Sequence, residues 1–119
     1  MNSINRVTLL GHLGKDPVYR VLSGDISTAT LYLATSEAYK DPQEQWQQQT
    51  EWHTLIVWGK LAAYAHNKLR KGMRVYAEGK LKRRSFEVEG MGRKQVTEII
   101  VDRIFSLDSN RSLNVSEWD

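Results

Sequence analysis

One stretch of this chain, residues 60–71, changes from a two-residue to a 3.6-residue hydrophobic period. There Leu61, Tyr64, Ala65, Lys68 and Leu69 fall at i, i+3, i+4, i+7 and i+8, the spacing of one helix face. Gly72 stands where a C-cap glycine is expected. The rest reads as strand. Residues 4–13 form a first strand bounded by Gly11 and Gly14, and 18–22 continue it past a bulge and the Asp16-Pro17 turn. In a second strand, 27–39, Ala29, Leu31 and Leu33 take one face, and Thr28, Thr30, Tyr32 and Ala34 take the other. Glutamine-rich residues 40–49, with Pro42 and Trp46, read as a hairpin loop. Residues 50–60 form a third strand and 73–84 a fourth. Residues 85–96 form a hairpin arm turning at Glu89-Gly90-Met91-Gly92, and 96–107 a fifth strand. Five strands with a helix between the third and fourth predict an all-β antiparallel OB-fold barrel over 1–107, with a short polar tail over 108–119. That fold uses its strand 2–3 face and two loops to hold oligonucleotides or oligosaccharides.

The third strand carries Trp52 and Trp58, six residues apart and therefore on one face. It leads into the basic part of the chain. Residues 60–94 hold eleven Lys and Arg against three Glu, a balance of +8, while the remainder holds six against eleven, a balance of −5. Charge concentrated in this way points to a polyanion. Within the stretch, Lys80, Lys82 and Arg84 alternate onto one face and flank Phe86. Lys68, Arg70 and Arg74 read as solvated helix and turn charges. Cations beside flat rings suit a phosphate track with base-stacking sites. On the residues alone, the tryptophans also fit a barrel core and the basic stretch a solvated face.

Other chemistries find little support. The chain has no cysteine, hence neither thiolate metal sites nor disulfides. His12, His53 and His66 lack ligand spacing, so no metal is expected. There is no GxxxxGK[ST] or GxGxxG loop, and Glu37 and Glu51 form no evident acid–base pair. Neither an enzyme nor a cofactor is expected. No apolar run approaches the ~20 residues of a membrane helix. A strand pattern that begins at once leaves no room for a signal or transit peptide, so a cytoplasmic protein is expected.

Several strings carry a resemblance. They are Asn5-Arg6-Val7, Leu10-Gly11-His12-Leu13-Gly14-Lys15-Asp16-Pro17, Leu33-Ala34-Thr35-Ser36-Glu37, Thr50-Glu51-Trp52-His53, Trp58-Gly59-Lys60-Leu61-Ala62, Leu69-Arg70-Lys71-Gly72 and Val75-Tyr76-Ala77-Glu78-Gly79-Lys80-Leu81. In this order and spacing the chain resembles the bacterial and mitochondrial single-stranded DNA-binding proteins. The resemblance implies a homotetramer of OB-folds that wraps single-stranded DNA without sequence preference and without chemistry, in replication, recombination and repair. It implies stacking by Tyr39, Trp52, Trp58 and Phe86; the family often has Trp at the first and last positions and Phe at the third. It implies phosphate contacts at Arg6, Lys60, Lys71, Lys82 and Arg84, to which the strand alternation adds Lys80, and it places His53 near a subunit interface. Many bacterial members continue into a Gly/Pro/Gln-rich linker with an acidic, hydrophobic tip. This sequence closes on Ser116-Glu117-Trp118-Asp119, so recruitment of replication and repair enzymes is not implied. The rival readings are a dimeric primosomal OB protein that also docks a helicase, and an OB scaffold for a protein or oligosaccharide partner. Trp46 and Trp118 are assigned no role.

Overall fold

Alternating burial along β3 (Ser27–Lys40) and β4 (Trp46–Trp58) builds the centre of the molecule. Leu31, Leu33, Leu55 and Val57 point inward and are fully buried, and the residues between them point out. The computed structural model describes residues 2–108. The tail expected at 108–119 therefore lies, apart from Asp108, outside the described residues, as does Trp118. Around the central pair run β1 (Val7–Leu13), β2 (Val18–Val21), α1 (Gly59–Lys68), β5 (Arg74–Val88) and β6 (Gly92–Ser106).

The sheet closes on itself. β1 pairs with β5, β5 with β6, β6 with β4 and β4 with β3, and β3 returns to β1 through His12↔Ala34 and Leu13↔Leu33. This is the five-stranded OB barrel, in which the β1–β3 pairing closes the ring and leaves β2 as the edge strand. Leu13, Val75, Ala77, Ile99, Val101 and Ile104 complete the core with Ala62, Ala65 and Leu69 from the helical segment. One seam departs from an all-antiparallel barrel. β4 and β6 run parallel, pairing Leu55↔Ile99 and Ile56↔Ile100. The N-terminal halves of both strands therefore project in the same direction. Each is extended by its hairpin partner into an exposed two-stranded ribbon, β3–β4 on one side and β5–β6 on the other.

Three local expectations change. Residues 18–21 do not continue β1 but form β2, paired antiparallel with β3 from Val18↔Thr30 to Val21↔Ser27. Asp16-Pro17 breaks the strand, with the Asp16 carboxylate accepting the Lys71 backbone N–H at 2.8 Å across the fold. The helix stops at Lys68, short of Gly72. Buried Leu69 leaves it in extended conformation while its N–H still bonds the Ala65 carbonyl, and Gly72, at φ +88°, serves the turn in which the Met73 N–H bonds the Arg70 carbonyl. Gly72 is thus a turn glycine and not a helix cap.

Most of the expected glutamine-rich loop is strand. Trp46 pairs with Lys40, Gln47 with Tyr39 and Gln49 with Glu37, leaving only residues 41–45 to turn. Asp41 holds that turn. Its carboxylate accepts the backbone N–H groups of Gln45 and Gln43 at 2.8 and 2.9 Å and the Gln47 amide at 3.0 Å. The Gln45 bond leads in lowering the Asp41 pKa, desolvation opposes it, and the Gln47 and Gln43 bonds add to the lowering.

Two outcomes follow. At Gly11, where β1 crosses to β3, a Cβ would lie 2.1 Å from the Ala34 carbonyl oxygen, a backbone atom that cannot swing away. Gly11→Ala should destabilise the barrel by about 1–3 kcal/mol or more, read from denaturant midpoints. At the ribbon tip, a folded pKa below the unfolded one means Asp41's contribution is full above the ordinary aspartate range and is lost as pH falls through the lowered value. Amide exchange across 42–49 should rise in that acidic window, and Asp41→Ala should show the raised exchange already at neutral pH.

Candidate nucleic-acid interface

Strand parity decides which side chains meet. On β4 the outward positions are Trp46, Gln48, Thr50, Trp52, Thr54, Ile56 and Trp58, opposite outward Lys40, Ala38, Ser36, Ala34, Tyr32, Thr30 and Thr28 of β3. Trp52 and Trp58 therefore do share a face. They are 61% and 49% exposed, which removes the barrel-core reading for both. Across the parallel seam the same outer surface continues through Ile100 and Glu98 of β6 to Lys80, Lys82 and Arg84 of β5. Together Thr30, Tyr32, Thr54, Ile56, Trp58, Lys80, Lys82, Arg84, Glu98 and Ile100 line an open groove of about 520 Å³. Its floor is apolar, one wall is a tryptophan and the other is a row of cations.

The cations are not equivalent. Among the described residues Lys80 and Lys82 have no acidic partner within ion-pair distance. Arg84 is committed in fork geometry to Glu98, Nε to Oε1 at 3.2 Å and a terminal nitrogen to Oε2 at 3.0 Å, and its guanidinium lies 5.4 Å from the Phe86 ring centre. The hydrogen bond to Glu98, then its charge, holds Arg84 protonated even more firmly than an ordinary arginine. Arg6, just before β1, pairs with Glu78 at 3.3 Å and Asp102 at 3.4 Å, which occupies its charge locally.

Trp52 sits in a neighbouring concavity with Gly14, Lys15 and Tyr32, and the Lys15 ammonium lies 4.8 Å from the Tyr32 ring centre. Phe86 follows Arg84 along the β5 ribbon and stays partly exposed. Lys60 comes two residues after Trp58, in the first turn of α1, and is exposed. The remaining candidates stand apart from the groove. Tyr39 is exposed on the opposite face of the β3–β4 ribbon, since it pairs with Gln47 and alternates with Lys40. Lys71 is exposed in the turn after the helix. His53 points to the inner side of β4, half-buried, with its Nε2 2.9 Å from the Thr35 hydroxyl. No group of three or more potential metal ligands occurs among the described residues, and no helix there is long and apolar enough to cross a membrane.

Sequence reasoning missed Lys15, Tyr32, Ile56, Glu98 and Ile100. Tyr32 and Ile56 carry the right parity on their strands, but the contribution of β6 needs the non-local β4–β6 register. It also missed Gly14. A Cβ there would lie 2.4 Å from the Trp52 ring, so this glycine provides the bed on which the indole lies. Gly14→Ala should displace the Trp52 ring and change the near-ultraviolet circular dichroism, whereas in a Trp52→Phe background the same substitution should leave the tryptophan bands unchanged.

The fold and sequence of the chain recur in known proteins. A model of the Single-strand binding protein family matches residues 4–107. A relative named Single-stranded DNA-binding protein 1, from Chlorobaculum tepidum, is 44% identical over 98 residues, 82% of this chain and 60% of that protein, so the chain spans about three-fifths of the relative's length. Among solved structures, a chain described as the Plasmodium falciparum SSB complex with ssDNA matches with a TM-score of 0.84 and 32% identity, over 91% of this chain and 98% of that one. A deletion mutant of the single-stranded DNA binding protein from Thermus aquaticus matches with a TM-score of 0.77 and 27% identity, over 90% of this chain and 52% of the other. With a family match that covers the whole barrel and relatives alike in both sequence and structure, the chain belongs to the single-strand binding protein family.

Proposed function

We propose that the protein binds single-stranded DNA without sequence preference and shields exposed strands during replication, recombination and repair. The observation that carries this reading is the open groove in which Trp58 faces Lys80, Lys82 and Arg84, with Trp52 exposed on the same surface. A single strand offers both parts of the matching ligand, flat bases for the rings and phosphates for the cations. A duplex keeps its bases stacked inside and offers only the phosphates. The surface holds no base-edge reader comparable to a helix in a major groove, so affinity should depend little on sequence.

The mechanism has two stages. The concentrated positive field captures the strand, and the free ammonium groups of Lys80 and Lys82 exchange counterions for phosphates. Bases then unstack from one another and stack on Trp58 and Trp52, with Phe86 extending the path, Tyr39 offering a ring on the opposite face of the ribbon, and Lys60, Lys71 and Arg6 adding phosphate contacts outside the groove. Arg6 and Arg84 must first give up their carboxylate partners, which makes them weaker contributors than Lys80 and Lys82. The barrel acts by binding and carries out no reaction. We further propose that it works as a homotetramer, with His53 close to a subunit interface. Leu10 of β1 and Ile4 before it are exposed apolar side chains on the flank of β1, the kind of surface a second copy would cover. Light scattering of the free protein tests the subunit count.

The deciding test is a titration with oligo-dT followed by tryptophan fluorescence, in parallel with duplex DNA and at several salt concentrations. Single-stranded DNA should quench strongly and duplex weakly. Trp52→Ala and Trp58→Ala should each weaken binding by roughly 1–3 kcal/mol while leaving the thermal unfolding midpoint nearly unchanged. Lys80→Ala and Lys82→Ala should each make the log affinity against log salt slope shallower by about 0.7. No quenching by oligo-dT with the fold intact would overturn the reading in favour of a scaffold for another partner.

A further inference from the structure

Trp46 lies on β4 six residues before Trp52, which in turn lies six residues before Trp58. Even spacing on one continuous strand puts all three indoles on one face, about 20 Å apart per step at roughly 3.3 Å per residue. Trp46 is the most exposed of the three, at 68%. We propose that Trp46 is a further base-stacking site, the third along β4, on the ribbon beyond the barrel and reached only by strands long enough to pass Trp52. The proposal rests on the single-stranded DNA reading and deepens it.

The surroundings of Trp46 fit a base and its phosphate. Lys40, directly opposite on β3, places its ammonium over the ring, 5.4 Å from its centre, so a cation able to meet a phosphate lies against the indole and would swing aside for a base on that face. A concavity of about 470 Å³ adjoins the ring, lined by Ser36, Glu37, Ala38, Trp46, Gln47 and Gln48. By alternation Glu37 and Gln47 belong to the opposite face of the ribbon. On the tryptophan face, the pairs between Trp46 and Trp52 are Ala38 with Gln48 and Ser36 with Thr50, the latter two hydroxyls 3.1 Å apart. These side chains are small or neutral, and the carboxylate that reaches the concavity, Glu37, comes from the opposite face. Glu37 and Glu51 both fall on the other side. The Asp41 turn fixes the ribbon end, so Lys40 and Trp46 stand as a closed pair and not as loop residues.

The position beyond the barrel makes the proposal testable by length. The span from Trp46 to Trp58 is roughly 40 Å of strand. A short oligonucleotide can satisfy Trp52 and Trp58 and leave Trp46 untouched. The experiment measures anisotropy of labelled oligo-dT, from the ~4-nucleotide to the ~16-nucleotide end of the site-size range and one longer oligomer, with the full chain and with Trp46→Ala and Trp46→Phe. Trp46→Ala should bind the shortest oligomer that the parent binds with unchanged affinity and lose roughly 5- to 150-fold on the longest. Trp46→Phe, which keeps an aromatic face, should recover most of that loss. Equal affinity of Trp46→Ala and the parent at every length overturns the proposal. So does an equal loss at every length, or a change in subunit number by light scattering, which would mean that Trp46 packs against a second copy. A parent that fails to bind oligo-dT of any length removes the DNA reading itself, a different result from a parent that binds and a Trp46→Ala variant that binds equally well.

Discussion

The two residue pairs that join β4 to β6, Leu55↔Ile99 and Ile56↔Ile100, set the geometry of the whole grooved surface. One pair seals the core and the next lays two isoleucines side by side on the outside, as the floor of the groove. Because the seam is parallel, both hairpin ribbons leave the barrel in the same direction. An antiparallel seam would send them to opposite ends and separate Trp52 from Phe86. Parallel pairing is slightly weaker per residue than antiparallel pairing, and here it is short. Its stability comes from what lies behind it, the packed side chains of Leu31, Leu55, Val57, Ile99 and Val101.

Charge on this surface is arranged as much by removal as by placement. Strand alternation sends Glu37 and Glu51 to the far side of the β3–β4 ribbon. Arg6 is neutralised by Glu78 and Asp102 near the start of the chain, away from the groove. What remains facing the groove is Lys80 and Lys82, two compact ammonium groups on flexible stems that can follow a moving backbone. Sequence totals register none of this, since a +8 balance across residues 60–94 counts Lys71 and Arg74 equally with Lys82.

Much of the site was legible because strands have a period of two. The shared face of Trp52 and Trp58, the row Lys80, Lys82 and Arg84, and the inward set Ala29, Leu31 and Leu33 all follow from counting residues. The failures came where local preference yields to something distant. Gly72 read as a helix cap because the helical spacing runs to Leu69, but the core draws Leu69 out of the helix one turn earlier. The stretch 40–49 read as a loop because Pro42 and the glutamines lack β-propensity, whereas one aspartate side chain and a long antiparallel register impose the strand. With that stretch taken as a loop, Trp46 had no parity and so no partners. Glu98 and Ile100 were beyond reach for another reason. They join the groove through a pairing between segments more than forty residues apart, which no local pattern encodes.

For the single-strand reading proposed above, the Arg84–Glu98 fork has a consequence for how long a strand would stay bound. Glu98 is nearly buried, its side chain 12% exposed, and Arg84 is the cation that faces it in the structure. A phosphate that recruits Arg84 leaves a carboxylate without its counter-charge at the edge of the groove, and that carboxylate draws the arginine back. The groove thus contains its own rival for any anion that approaches Arg84. On the proposed single-strand reading, occupancy at that point would be an exchange between two anions and not a one-way capture, so a strand could be released from Arg84 while the tryptophans still held its bases.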